Sequence, residues 1–240
     1  MDRKQRQKSQ RARHRAKTSQ PPRQAGQRKK IWLGTAAAVA AVLAVIVAGF
    51  LLDSRGEGEE VRTRTLTASG RVLGSDHAPV TIEYYEDFQC PACRSFTTSV
   101  APRIEDEYVS KGVARVVFMH NPFIGPESMR AAEASECAAD QGQFWEYHDA
   151  LFAAQGIENS GSFADENLQA VAQELGLDMS GFNGCLMGHE HLDSVEKERR
   201  DAAERGVRVT PTIFINGTKI EGAGSYQELQ RIIEQQLHES

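Results

Sequence analysis

Cysteine is scarce in this 240-residue chain: there are four, none before Cys90. Acid is nearly absent from the first thirty residues, where Asp2 stands alone against twelve Lys and Arg. Charge of either sign is missing from residues 31–52. Each gap excludes something. The first thirty residues carry +11 and the remainder −16, for a net charge of −5, so the chain is not a single basic nucleic-acid-binding domain. A zinc site needs a second ligand pair spaced like Cys90 and Cys93, and none is present. No phosphate-binding glycine loop and no Ser-His-Asp arrangement stands out. What remains is ordinary for a folded domain, 40% apolar and 25% charged, and this excludes wholesale disorder.

The uncharged stretch 31–52 contains 22 residues. At about 1.5 Å each it spans roughly 33 Å, enough for a hydrocarbon core of about 30 Å. It reads as a transmembrane anchor; a cleaved signal peptide and a buried core helix are the alternatives. Residues 11–30 hold eight Lys and Arg and residues 53–72 hold four. The more basic side stays in the cytoplasm, which puts the C-terminal part outside. Residues 1–30 read as a disordered cytoplasmic tail and 53–65 as a charged linker.

All four cysteines then lie on the outer side, where disulfides persist. Cys90-Pro91-Ala92-Cys93 is a C-x-x-C. A redox pair, a small structural disulfide and a zinc half-site are its possible readings. Its setting favours the first. A β-rich run, 80–85, precedes it. Phe96, Val100, Ile104 and Tyr108 follow every four residues, the stripe of an amphipathic helix. Cys90 is thus expected at a helix N-terminus, where free N–H groups and the macrodipole favour a thiolate. Cys93, one turn further in, is the resolving thiol. Near the C-terminus, Thr210-Pro211-Thr212 opens a β run, and Asn216-Gly217 predicts a type I′ hairpin. Ser225 and Glu228 form a capping box for a last helix carrying Leu229, Ile232, Ile233 and Leu237.

Strand, C-x-x-C, helix, Thr-Pro, hairpin and final helix together resemble the thioredoxin fold. The detail resembles the DsbA-like thiol:disulfide oxidoreductases, in their membrane-anchored extracytoplasmic branch. The matching stretches are 73–80, 87–93, 142–149, Thr210-Pro211-Thr212 and Asn216-Gly217, within about residues 66–238. The resemblance implies an α/β thioredoxin domain over 66–240 with a helical insertion at about 125–195, preceded by one transmembrane helix. It implies that Cys90 is the nucleophile, Cys93 the resolving thiol and Pro211 a cis-proline facing them, with Thr210 just before it. It places Glu83 near the position of the buried acid that handles protons behind the cysteines; a carboxylate on the rim is the other reading.

Cys137 and Cys185, with 47 residues between them, are expected to be joined by a structural disulfide, as in some relatives; two free buried thiols are the alternative. The family further implies no cofactor or metal. It implies reduced, unfolded secreted proteins as substrates and a membrane-embedded, quinone-linked partner that reoxidises a monomeric enzyme at the bacterial cell membrane. Pro91-Ala92 departs from the Gly-Pro of reductases and the Pro-His of the best-known oxidases. Ala92 offers the thiolate no charge or hydrogen bond, so the expectation is an oxidase, milder than those with His there. A reductase or isomerase, and a binding module or chaperone without redox chemistry, are the competing functions. In the insertion, Phe144, His148, Leu151 and Phe152 share one helix face, and Phe144, Trp145 and Tyr147 read as core, with a cofactor box as the alternative. A second helix carries Leu168, Val171, Ala172 and Leu175, with Ser162 as its expected cap.

Overall fold

In a computed structural model, which describes residues 66–239, two short strands, β1 (Ala68–Ser69) and β2 (Val72–Gly74), precede the first long one, β3 (Val80–Glu86). The anchor expected at 31–52 and its flanks lie outside the described residues. Among those described, no helix is long and apolar enough to cross a membrane.

A parallel partner, β4 (Ala114–His120), lies beside β3, and their link is helical. The four-residue stripe from Phe96 to Tyr108 predicts one helix, but the path is broken. It forms α1 (Pro91–Ser99), α2 (Ala101–Ile104) and a π-helical turn (Glu105–Val109). Pro102 has no N–H to continue the ladder of α1, so the chain restarts around Val100. The wide turn closes with Ser110 N–H donating to the Glu105 carbonyl at 2.9 Å.

From β4 the chain leaves the sheet for five helices: α3 (Pro126–Ala139), α4 (Phe144–Ala153), α5 (Asp165–Glu174), α6 (Met179–Gly188) and α7 (Leu192–Glu204). The insertion thus runs further than residue 195. Its last helix returns to the sheet, where Ala202 packs with Tyr85, Val207 and Phe214. The expected Ser162 cap is not used; α5 starts after Ala164, which cannot cap through its side chain. Cys137 of α3 and Cys185 of α6 are disulfide-bonded, with Cα atoms 5.8 Å apart.

The hairpin β5 (Thr212–Ile215) and β6 (Thr218–Glu221) pairs antiparallel to β3. Asn216 and Gly217 both have positive φ, 44° and 85°, as a type I′ turn requires. Helix α8 (Tyr226–Glu239) closes the chain, and the Ser225 hydroxyl accepts from Glu228 N–H at 3.2 Å. The strand order is β1-β2-β4-β3-β5-β6.

Alternation along β3 decides what faces what. Val80, Ile82 and Tyr84 point into the main core with Val116, Phe118, Ile213, Ile215, Phe96 and Ile233. Glu83 and Tyr85 point to the other face, covered by α7. Glu86, at an even position, falls on the main-core side.

Candidate active site

The C-x-x-C bridges the end of β3 and the first turn of α1. Cys90 is the residue before the helix, with extended backbone (φ −77°, ψ 117°), and Pro91 takes the first helical position, where an N–H is dispensable. No acid lies in that first turn. The turn leading to it is held by Asp87. Its buried carboxylate accepts from the N–H groups of Gln89, Phe123 and Ile124 and from the Ser128 hydroxyl, at 2.6–3.0 Å. The Asp87 carbonyl takes Cys90 N–H at 2.9 Å. From α4's end, Gln155 Nε2 donates to the Phe88 and Cys90 carbonyls at 2.7 and 3.1 Å.

Both cysteines are free thiols. Cys90 keeps 8% of its surface and is flanked by exposed Pro91 and Ala92; Cys93 keeps none. Their acidities diverge. The Cys93 thiol, donating to the Cys90 sulfur, does most to pull the Cys90 pKa down to about 6. Burial opposes this, while the Thr210 side chain and the N–H groups of Cys93 and Ala92 assist. Cys93 is pushed well above its ordinary value, first by burial, then by its bond to Cys90 and by the nearby Glu86 carboxylate. One thiol keeps a small exposed edge and ionises readily; its neighbour is fully shielded and holds its proton.

Across the gap stands the segment before β5. The Thr210–Pro211 peptide bond is cis, and Cys90 Sγ lies 3.3 Å from the Thr210 carbonyl oxygen. The structure thus brings Cys90, Cys93, Thr210 and Pro211 to one place although 116 residues lie between Cys93 and Thr210.

Glu83 is not among them. Its carboxylate forms a two-pronged ion pair with Arg205 of the α7 end, both contacts 2.8 Å, on the sheet face away from α1. The proposed place behind the cysteines is taken by Glu86, three residues on and therefore on the opposite face. Glu86 is fully buried; Thr97 Oγ1 of α1 donates to Oε2 at 3.3 Å, and Oε1 has no hydrogen-bond partner. Burial pushes its carboxyl above the usual range, against the pull of His148 and Thr97. The cue was present in the sequence: Val80, Ile82 and Tyr84 set the parity of the core face, and Glu86 continues it. Asp87 and Gln155 gave no such signal, because their roles depend on which loops meet there.

His189 and His191 each face a carboxylate, Glu133 at 2.8 Å and Asp140 at 2.7 Å. Cys137 and Cys185 lie near His191, but their sulfurs are bonded to each other and offer no thiolate.

A thioredoxin family model matches residues 66–235. A probable disulfide bond formation protein D of Bacillus anthracis is 30% identical over 204 residues, 83% of this chain and 92% of that protein. Disulfide bond formation protein D of Bacillus subtilis is 30% identical over 177 residues, 69% of this chain and 76% of that one. Among solved structures, oxidised BdbD from Bacillus subtilis superposes with a TM-score of 0.66 at 28% identity, covering 71% of this chain and 94% of that one. With an acidic thiol at the rim set before a fully buried one on a thioredoxin scaffold, and with these relatives along most of its length, the chain belongs to the DsbA-like thiol–disulfide oxidoreductases of the thioredoxin family.

Proposed function

We propose that the chain works as an oxidase, introducing disulfides into secreted or cell-envelope proteins on the outer side of the membrane, from an anchor at residues 31–52. The observation that carries this reading is the divergence of the two thiols. An acidic Cys90 stabilises the reduced enzyme, because its thiolate forms at lower pH than an ordinary thiol's. A stabilised reduced form makes the oxidised form the stronger oxidant.

In the proposed cycle a substrate thiolate attacks Cys90 Sγ of the Cys90–Cys93 disulfide. A new sulfur–sulfur bond forms to Cys90, the old one breaks, and its electron pair goes to Cys93, which takes a proton. A second substrate thiolate then attacks the substrate sulfur of the mixed disulfide, and Cys90 leaves as thiolate. The substrate has lost two electrons and the enzyme holds both cysteines reduced, Cys90 as thiolate and Cys93 as thiol. A quinone-linked membrane partner restores the disulfide. Thr210 and Pro211, facing Cys90, line the surface on which the substrate chain rests. The Cys137–Cys185 bond suits an oxidising compartment.

The test is oxidation of a reduced model protein by the full chain, together with the reduction potential of the Cys90–Cys93 pair. The Cys90→Ser variant is expected to lose oxidation altogether. A potential above about −200 mV supports an oxidase, and one near about −270 mV makes it a reductase instead. Oxidation that survives Cys90→Ser would reject the assignment. Labelling of the Cys90 thiol in intact cells by a membrane-impermeant reagent tests the outer location.

A further inference from the structure

His148 lies on α4, inside the helical insertion, yet its ring reaches the space behind the redox cysteines. Phe88, Phe118, Phe144, Trp145 and Phe152 surround it, with ring centroids 5.0–6.0 Å away. Within this apolar cage two carboxylates face the imidazole from different sides. Nδ1 is 2.8 Å from Asp149 Oδ1, and Nε2 is 3.8 Å from Glu86 Oε2. A core histidine needs one partner for its ring N–H; a second buried acid opposite the other nitrogen is an expense unless the group between them can be charged.

We propose that His148 is a positioning residue for disulfide exchange, its imidazolium balancing the charge left on Glu86 when that carboxyl gives its proton to Cys93. The proposal rests on the reading of Cys90 and Cys93 as the exchange pair. The step balances as follows. The substrate thiolate bonds to Cys90 Sγ as the Cys90–Cys93 bond breaks, and Cys93 receives the electron pair. The Glu86 carboxyl proton moves to the Cys93 sulfur, leaving a carboxylate beside His148. The imidazolium then stands between two carboxylates, and the single net negative charge is shared across the trio instead of resting on Glu86 alone. Asp149 is the most exposed of the three groups and is the side from which a proton returns.

Acidities agree with this arrangement. Burial alone pushes the His148 imidazolium down, but the hydrogen bonds and charges of Asp149 and Glu86 outweigh it and hold its pKa above the usual value. Glu86 is held up by burial, so a neutral carboxyl faces an imidazolium–carboxylate pair. The other groups nearby are accounted for. On α1, the Cys93 thiol feels the charge of the Glu86 carboxylate, which helps to push it up. From β4 and α3, the His120–Glu136 pair, 2.7 Å apart, stands behind the Phe118 and Phe144 rings. Helix α5 meets α4 through the Leu168 carbonyl, which accepts the Tyr147 hydroxyl.

The experiment compares full-length wild type, His148→Phe, Glu86→Gln and the double variant. Phe suits the aromatic cage; His148→Gln, polar and uncharged, is the second choice should His148→Phe fail to fold. The rate of reduction of the Cys90–Cys93 disulfide by a model dithiol, per substrate thiolate, is followed from about pH 4 to 9. Wild type is expected to slow as Glu86 loses its proton, and Glu86→Gln to lack that limb. His148→Phe is expected to move the limb to higher pH, because the carboxylate loses its compensating charge. The double variant is expected to match Glu86→Gln. An unmoved limb in His148→Phe, a limb that survives Glu86→Gln, or an equal His148 effect in the Glu86→Gln background would each overturn the proposal. Wild type without any exchange, or activity in Cys90→Ser, would instead sink the exchange reading itself.

Discussion

The sulfur of Cys90 stands 3.3 Å from the carbonyl oxygen of Thr210, although 120 positions separate the two residues. As a thiol, Cys90 donates to that oxygen. As a thiolate it has no proton to give, and the Cys93 thiol, the Thr210 side chain and the N–H groups at the start of α1 become its partners. The pair therefore changes its contacts with ionisation, and this makes the pH behaviour of the site measurable.

Thiolate absorbance of the reduced protein should rise with a midpoint near pH 6, and Cys90→Ser should abolish that transition. Thr210→Val should move the midpoint up, since it removes a group that helps hold the thiolate. The effect on stability has a definite sign. The Cys90 pKa is lowered in the folded protein from an ordinary value of 9.0 to about 6. Its stabilisation of the reduced form is complete above pH 9 and is lost as the pH falls through 6. The Tm of reduced wild type relative to reduced Cys90→Ser should accordingly climb between those limits. A constant difference would show that Cys90 is not acidic.

Glu83 and Arg205 should matter to packing and not to exchange. Both are partly exposed, so Glu83→Gln should cost about 1 kcal/mol or less, even with two-pronged geometry. Its oxidation rate should equal that of wild type across the pH range. Glu86→Gln should instead lower the rate on the order of a hundredfold at neutral pH, as loss of a proton donor does. If Glu83→Gln behaved like Glu86→Gln, the placement of the two acids on opposite faces would have no chemical meaning.

How far the chain announces this arrangement differs from element to element. Cys90, Pro91 and the stripe beginning at Phe96 mark a strand–site–helix junction, because a two-residue period gives way there to a helical one. Thr210-Pro211 and Asn216-Gly217 mark the hairpin through local turn chemistry. The break at Val100 is not legible in the stripe, because apolar spacing continues through it while Pro102 interrupts only the backbone ladder. The resemblance puts Glu83 near the buried acid, but Val80, Ile82 and Tyr84 set the core face of β3, so Glu83 falls on the other face and Glu86, still inside the strand, falls on theirs. His148 shares a helix face with Phe144, Leu151 and Phe152, but its second carboxylate comes from β3, 62 positions earlier, and no local pattern reports such a meeting.

The disulfide between α3 and α6 should act on stability and leave chemistry alone. It closes a loop with a sequence separation of 48, worth about 4 kcal/mol through the unfolded chain. The paired Cys137→Ala and Cys185→Ala substitutions should lower denaturant stability by about that amount. Oxidation by the folded double variant, measured well below its melting point, should persist. A change in its Cys90 titration midpoint would count against the two disulfide sites being independent.

Asp87 offers the sharpest test of how the site is held. Its carboxylate joins three segments, the Asp87–Gln89 turn, the Phe123–Ile124 loop and Ser128 on α3, and it accepts from three backbone N–H groups among them. In Asp87→Ala those N–H groups lose their acceptor in a buried place, at about 1–3 kcal/mol for each that water does not reach. The expected loss is about 3 kcal/mol or more in urea unfolding. Asp87→Asn keeps one acceptor oxygen but turns an NH2 toward the remaining donors, so it should also destabilise. Because Cys90 N–H is tied to the Asp87 carbonyl, the nucleophile should shift as the turn loosens. Oxidation should fall about tenfold to a hundredfold even where the variant is fully folded, since small displacements of reacting atoms are costly. An Asp87→Ala protein that unfolds and oxidises like wild type would mean that the turn is shaped by the helix and the Gln155 contacts alone.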